Sequence, residues 1–254
     1  MTADLQDWVG RAEVTADTVS PRLLEAFCAT FDLAPGEEAP LGLHWCLAPP
    51  AAAQRALGAD GHPAKGGFLP PVALPRRMWA GGALNFHDTL QVGDVVEKRS
   101  RIAAVTEKQG RSGAMCFVTV EHEFSTARRG LAISERQDIV YLPAPTGPAP
   151  AAGGGAGLRT VQLFRYSALT FNGHRIHYDR TYATEVEFYA GLVVHGPLQA
   201  TWLLHFAAAR GAVTNFRFRG VSPLLDFENF GLHGEADKFW IETAEGRRTM
   251  EATV

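Results

Sequence analysis

The chain is poor in cysteine and in long runs of a single charge or of apolar residues, and each shortage excludes something. Its three cysteines, Cys28, Cys46 and Cys116, are scattered, odd in number and without CxxC spacing. Neither a disulfide framework nor a zinc knuckle is therefore indicated, and a reducing cytoplasm is the expected location. No block of Lys or Arg is longer than pairs such as Arg76-Arg77, Arg128-Arg129 and Arg247-Arg248 within a net charge of −3, which leaves no electrostatic footprint for nucleic acid. No apolar run approaches the length needed to span a bilayer, and the first residues, MTADLQDWVG, carry acids instead of a basic, apolar leader, so neither membrane nor export is expected. A triple-glycine stretch, GGGAG, follows a Pro-Ala tract instead of a strand and lacks the Lys-Ser/Thr ending of a phosphate loop.

What is present is 254 residues at 46% hydrophobic content, enough for one large domain or two units with real cores. Residues 142–158, LPAPTGPAPAAGGGAGL, combine stiff prolines with loose glycines and no apolar periodicity. They divide the chain into a unit at 1–141, a linker at 142–158 and a unit at 159–254. In the first unit, Ser20-Pro21 is an N-cap and first-turn pair for a helix through Leu23, Leu24, Phe27, Cys28 and Phe31. Residues 41–84 are rich in Pro, Gly and Ala and read as loops with short helical pieces. Alternating strand-length runs follow from residue 83 to 142 as an antiparallel meander.

In the second unit, 160–169 reads as a strand and 179–189 as a short helix capped by Asp179. Residues 195–210 read as the longest helix, with Leu198, Trp202, His205, Phe206 and Ala209 on one face and Gly211 past its end. Strands are expected at 213–221, 230–236 and 239–244. Both units thus show a helix plus an antiparallel sheet, a duplicated α+β layout. Two segments carry chemistry: FRYSALTFNGHRIHYD ends in a polar turn with His174 and His177, and GLVVHGPL breaks into a helix whose first amides suit a carbonyl oxygen.

YSALTFNGHRIHYDRTYA and GLVVHGPLQATWLL, with LPRRMWAGGALNFHDTLQVGD, TEKQGRSGAMCFVTVEHEF and ERQDIVYL before them, resemble the MaoC-like double hot-dog hydratases and dehydratases of acyl thioesters. The likeness is to the hydroxyacyl-thioester dehydratase type 2 and mesaconyl-C4-CoA hydratase branch. It implies an α+β double hot-dog, two tandem antiparallel sheets each wrapping a central helix. The catalytic residues are then expected on the C-terminal unit, and a degenerate N-terminal unit completes the acyl pocket. Placed on the family's hydratase signature, the catalytic His falls on His177 and the trailing Asp on Asp179, while the leading Asp is replaced by Asn172. An amide cannot accept a proton at neutral pH, so proton traffic moves to His177, whose imidazole titrates near neutrality.

Asn172 either orients water or a carbonyl, or caps the turn at Asn172-Gly173. The Gly196 amide is the oxyanion candidate, with His195 beside it. Arg175 is a candidate partner for a distal acyl carboxylate, and Arg217 and Arg219 for the CoA phosphates. Asp179 and His174 are possible orienting groups. His174 and His177 stand three apart, but no third ligand of suitable spacing follows, so no metal is expected. The expected activity is reversible hydration of an enoyl-CoA, with a short branched C5 dicarboxylic acyl group such as mesaconyl-C4-CoA or itaconyl-CoA, no cofactor beyond the acyl-CoA substrate, and a monomer or homodimer. Three alternatives stand beside it: a 3-hydroxyacyl-thioester (acyl carrier protein or CoA) dehydratase, a thioesterase, and a non-catalytic acyl-CoA binding protein.

Overall fold

The computed structural model describes residues 4–110, 113–147 and 158–254. Helix α1 (Pro21–Phe31) starts as the sequence predicts: the Ser20 hydroxyl accepts from the Leu23 amide at 3.1 Å, and Pro21 has no amide hydrogen to leave unpaired. Strand β1 (Ala12–Thr18) precedes it, and β2 (Arg76–Phe86), β3 (Val95–Gly110), β4 (Gly113–Thr126) and β5 (Gly130–Leu142) follow. Alternation is clearest in β4, where Cys116, Val118, Val120, His122 and Phe124 are buried between less buried neighbours. The second half supplies α2 (Leu158–Leu169), α3 (Gly196–Ala208), β6 (Asn215–Gly220), β7 (Phe230–Glu235), β8 (Lys238–Thr243) and β9 (Arg248–Thr253).

This is the expected α+β double hot-dog layout, with its two antiparallel sheets running edge to edge as one. The nine strands lie in the order β1-β3-β4-β5-β2-β6-β9-β8-β7. The halves join where β2 pairs antiparallel with β6, from Gly81 opposite Arg219 to Asn85 opposite Asn215. Helix α3 packs across β2 and all strands of the second half. It is buried well beyond the single stripe read from its sequence: Gln199, Ala200, Thr201, Leu203, Leu204 and Ala207 are buried along with Leu198, whereas Trp202, His205 and Phe206 are only half-buried and Ala209 is exposed. A helix wrapped by a sheet and covered by the other helices has no solvent face to keep polar.

Three expectations change. Residues 160–169 belong to α2 and not to a strand. Their aromatic and β-branched residues favour a strand by propensity, but Leu163 and Tyr166 are fully buried while Val161 and Phe164 are exposed, a spacing of three and not of two. Strand β2 begins at Arg76, inside the stretch read as loops, and β1 and β9 carry no sequence signal that was read as strand. The linker expected at 142–158 lies outside the described residues from 148 to 157.

Candidate active site

Helix α2 ends at Leu169; two residues on, Phe171 takes a left-handed φ of 48°, and the next residues fold into a tight polar turn. The Asn172 amide donates to the Ser167 carbonyl at 2.8 Å, and Asn172 Oδ1 accepts from the His174 amide at 2.9 Å. One 3-10 turn (Arg175–His177) follows. The segment before α3 clasps it: the Val193 amide donates to the Ile176 carbonyl at 3.0 Å, and His177 Nδ1 donates to the Val193 carbonyl at 2.7 Å. A carbonyl only accepts, so the His177 proton is on Nδ1 and the lone pair on Nε2.

The ring of His177 stacks on that of His195, with centroids 3.6 Å apart and planes 20° from parallel. His195 is the N-cap of α3 and is fully buried, with Nε2 2.8 Å from Ser167 Oγ. His177 therefore stands against the residue immediately before Gly196. Gly196 and Pro197 open α3, so the Gly196 amide has no acceptor within the helix and lies at the positive end of its dipole. A Cβ at Gly196 would make only ordinary contacts of 3.7 Å with Trp79, so packing alone does not demand glycine there.

Burial drives the electrostatics. It pushes His177 down to about 3, opposed by the hydrogen bond to Val193, and it holds His195 and His174 well below the ordinary imidazole range. All three rings are neutral around pH 7, so His177 is in its base form. Among the described residues, three buried polar atoms around the stack make no hydrogen bond: Trp79 Nε1, Tyr166 Oη and His195 Nδ1.

A loop of the first half completes the cluster. The Arg175 amide donates to the Asp60 carbonyl at 2.9 Å, and Gly61 meets Gly173 so closely that a Cβ on either residue would collide with the carbonyl oxygen of the other. Gly61 also has a φ of +87°, which favours glycine. This contact brings in His62, whose ring lies 4.1 Å from that of His174, while His174 in turn meets His177 edge-on at 5.3 Å. Asp60 Oδ2 lies 2.9 Å from His62 Nδ1, and Asp60 Oδ1 accepts from the His62 amide at 3.1 Å. Beside Asp60 opens a cleft of about 410 Å³, lined among others by Lys65, Arg76, Arg77, Tyr182 and Glu187.

The fold thus brings together His174, His177, His195 and Gly196 from the sequence reading. Asn172 joins them as the cap of the turn. Arg175, Arg217 and Arg219 lie outside this cluster of rings. Arg175 is held by Asp179 at 2.7 and 3.0 Å and by the Ala59 carbonyl, and lies over the Tyr182 ring at 4.2 Å. Arg217 and Arg219 are exposed on β6, on the face opposite Phe216 and Phe218, which point into the core, and Arg219 pairs with Glu251 at 2.8 Å. Asp179 caps the helical turn at Tyr182, with 3.0 Å to that amide, and its carboxylate pairs with Arg175.

Asp60, His62, Ser167, Tyr166 and Trp79 were missed. Ser167 and Tyr166 were hidden by reading α2 as a strand. The Asp60-Gly-His62 run sits in a stretch without periodicity, where only its close polar spacing between glycines gave a signal. Asp60, His62 and His174 place donor atoms within 4.8 Å of one another, the third ligand that local spacing near His174 did not supply. As it stands, the set is a hydrogen-bonded Asp-His pair tilted against a second imidazole, and the neighbouring Arg77 charge opposes a cation.

Residues 42–226 match the family described as hydroxyacyl-thioester dehydratase type 2. The chain is 40% identical to the mesaconyl-C(4)-CoA hydratase of Chloroflexus aurantiacus over 277 residues, covering 100% of this chain and 98% of that protein. It is 26% identical to the mitochondrial hydroxyacyl-thioester dehydratase type 2 of Schizosaccharomyces pombe, over 94% of this chain and 92% of that one. Among solved structures, HtdX of Mycobacterium tuberculosis superposes with a TM-score of 0.70 at 18% identity, over 96% of this chain and 98% of that one.

Proposed function

Because the chain belongs to the hydroxyacyl-thioester dehydratase type 2 family, we propose that it reversibly adds water across the α,β-double bond of an acyl-CoA thioester, with His177 carrying the proton. One observation carries the assignment of residues: the stack of His177 on His195 at the start of α3, with Nδ1 tied to the Val193 carbonyl. A water held at His177 Nε2 gives up a proton as its oxygen bonds Cβ. The double-bond pair moves through Cα to the thioester oxygen, where the Gly196 amide stabilises the enolate. The enolate then takes the proton from His177 at Cα, and the imidazole is neutral again. Its low affinity for protons favours this return step. Asn172 contributes by holding the turn, and no cofactor or metal is required.

The preferred acyl group is a short branched C5 dicarboxylic one, of the mesaconyl-C4-CoA or itaconyl-CoA type. The second half supplies the proton carrier, and the first half closes the site through the Asp60–His62 loop. No described helix is long and apolar enough to cross a membrane, and Cys28, Cys46 and Cys116 are free and buried. Both facts support a cytoplasmic enzyme. A substrate panel tests the reading: loss of enoyl absorbance is expected to be about 100-fold more efficient for mesaconyl-C4-CoA than for straight-chain enoyl-CoAs, since an unpaired buried charge-binding group disfavours an apolar chain. Greater efficiency on long chains would make the protein a fatty-acyl dehydratase, and release of free thiol would make it a thioesterase.

A further inference from the structure

A dicarboxylic acyl group brings a carboxylate into a buried pocket, where it needs a cation and hydrogen-bond donors. With Arg175 committed to Asp179, the cations left near the histidines are those of the cleft. Arg76 donates to Glu187 at 2.6 Å and to the Tyr189 hydroxyl at 2.7 Å. Lys65 is held by the carbonyls of Val72 and Leu74. Arg77 differs from both: among the described residues it makes no ion pair, and Asp60, the carboxylate beside it, is taken up by His62. Lys65, Arg76 and Arg77 face only Asp60 and Glu187 in the cleft lining, a balance of three positive charges against two negative.

We propose that Arg77 and Tyr141 form the subsite for the distal carboxylate of the acyl group. Tyr141 lies directly opposite Arg77 in the β2–β5 pairing, so the two side chains share a face with Cβ atoms about 5 Å apart. Tyr141 is fully buried; its hydroxyl meets no partner at full hydrogen-bond geometry, and the Arg77 guanidinium reaches toward it, so the two polar ends face each other with donor capacity to spare. A carboxylate between the two side chains accepts from both. The position along β2 also fits. Trp79, whose Cβ lies 3.7 Å from the Cβ position of Gly196, is two residues on from Arg77 and on the same face, about 7 Å away along the strand. That step and the reach of the guanidinium span a C5 diacid whose thioester oxygen meets the Gly196 amide. The Arg77 charge is also felt at the histidines, where it adds to burial in holding His62 and His174 below the ordinary range.

This inference rests on the hydration reading for its substrate, and the test separates the two. Hydration of mesaconyl-C4-CoA is compared with that of 3-methylcrotonyl-CoA, which carries a methyl in place of the distal carboxylate, in the wild-type chain and in Arg77→Met and Tyr141→Phe. The same comparison is run with N-acetylcysteamine thioesters, which lack the CoA phosphates. The preference in kcat/KM for the diacid is expected to fall about 100-fold in R77M and about 5-fold in Y141F, with either carrier. Equal losses on both acyl groups would overturn the proposal by making Arg77 structural. A loss on every CoA ester that vanishes with the short carrier would overturn it by making Arg77 a phosphate contact. Should the wild type hydrate neither substrate, the reaction falls, and the subsite is decided by calorimetry. Tighter binding of methylsuccinyl-C4-CoA than of isovaleryl-CoA, lost in R77M, supports it; equal affinities overturn it.

Discussion

Replacing His177 with Asn is expected to lower kcat for enoyl-CoA hydration by about 10²- to 10⁴-fold, with a much smaller change in KM. The substitution isolates the proton function. An asparagine amide nitrogen takes the place of Nδ1 and still donates to the Val193 carbonyl that now receives His177 Nδ1 at 2.7 Å, so the clasp between the turn and the approach to α3 is kept. What disappears is the lone pair on Nε2, since an amide nitrogen takes no proton at neutral pH. The Gly196 amide and the start of α3 are untouched, so thioester binding survives. The ring stack on His195 is lost, and thermal unfolding of the variant checks that only a modest loss of stability accompanies it. A folded variant with turnover within a few-fold of wild type would move the base elsewhere, and His62, with Asp60 against its ring, is the group the geometry offers next.

The second large effect is on stability in mild acid. Burial pushes His44, His122 and His177 down to about 3, and holds His174 and His195 well below the ordinary value. In the unfolded chain each takes up a proton near pH 6.5. Below that pH the unfolded state binds more protons than the folded one, so stability falls as pH falls, continuously from about 6.5 towards 3. Each imidazole contributes up to about 1.4 kcal/mol per pH unit. Glu135 acts in the opposite sense. Burial raises it to about 7, against the pull of Trp45 and Lys98, so between roughly pH 7 and 4.5 the folded state gains there as pH falls. One carboxyl offsets one imidazole of the five. Urea unfolding is therefore expected to show a loss on the order of 7 kcal/mol between pH 7 and pH 5, comparable with the whole stability of many domains. A flat profile over that interval would mean that these rings are hydrated and titrate normally.

Local chemistry was legible wherever one segment decides its own structure. Ser20-Pro21 starts α1, Asp179 caps its turn and the Gly196-Pro197 step opens α3, because capping depends on residues two to three apart. The meander of β3 to β5 was legible from alternation. Helix α2 was not: its Val161, Phe164 and Tyr166 suit a strand by propensity, and only packing, which buries Leu163 and Tyr166 together, decides for a helix.

The site divides the same way. His174, His177, His195 and Gly196 come from two segments whose residue types announce chemistry. Asp60 and His62 reach them through a backbone contact between Gly61 and Gly173, and Arg77 through a strand that pairs with both halves of the sheet. Neither leaves a periodic trace in sequence. Arg175 shows the converse, since a guanidinium next to the turn looks unengaged in sequence, whereas in the fold Asp179, four residues on, pairs with it.

The central claim is that an imidazole beside the first amides of α3 adds water to an enoyl thioester. Incubating the full chain with mesaconyl-C4-CoA in ¹⁸O-labelled water and fragmenting the product by mass spectrometry tests it most directly. The account predicts one labelled hydroxyl on Cβ with the thioester intact, formed by the wild type and scarcely by H177N. Label in a released free acid, or equal labelling by both proteins, would contradict it.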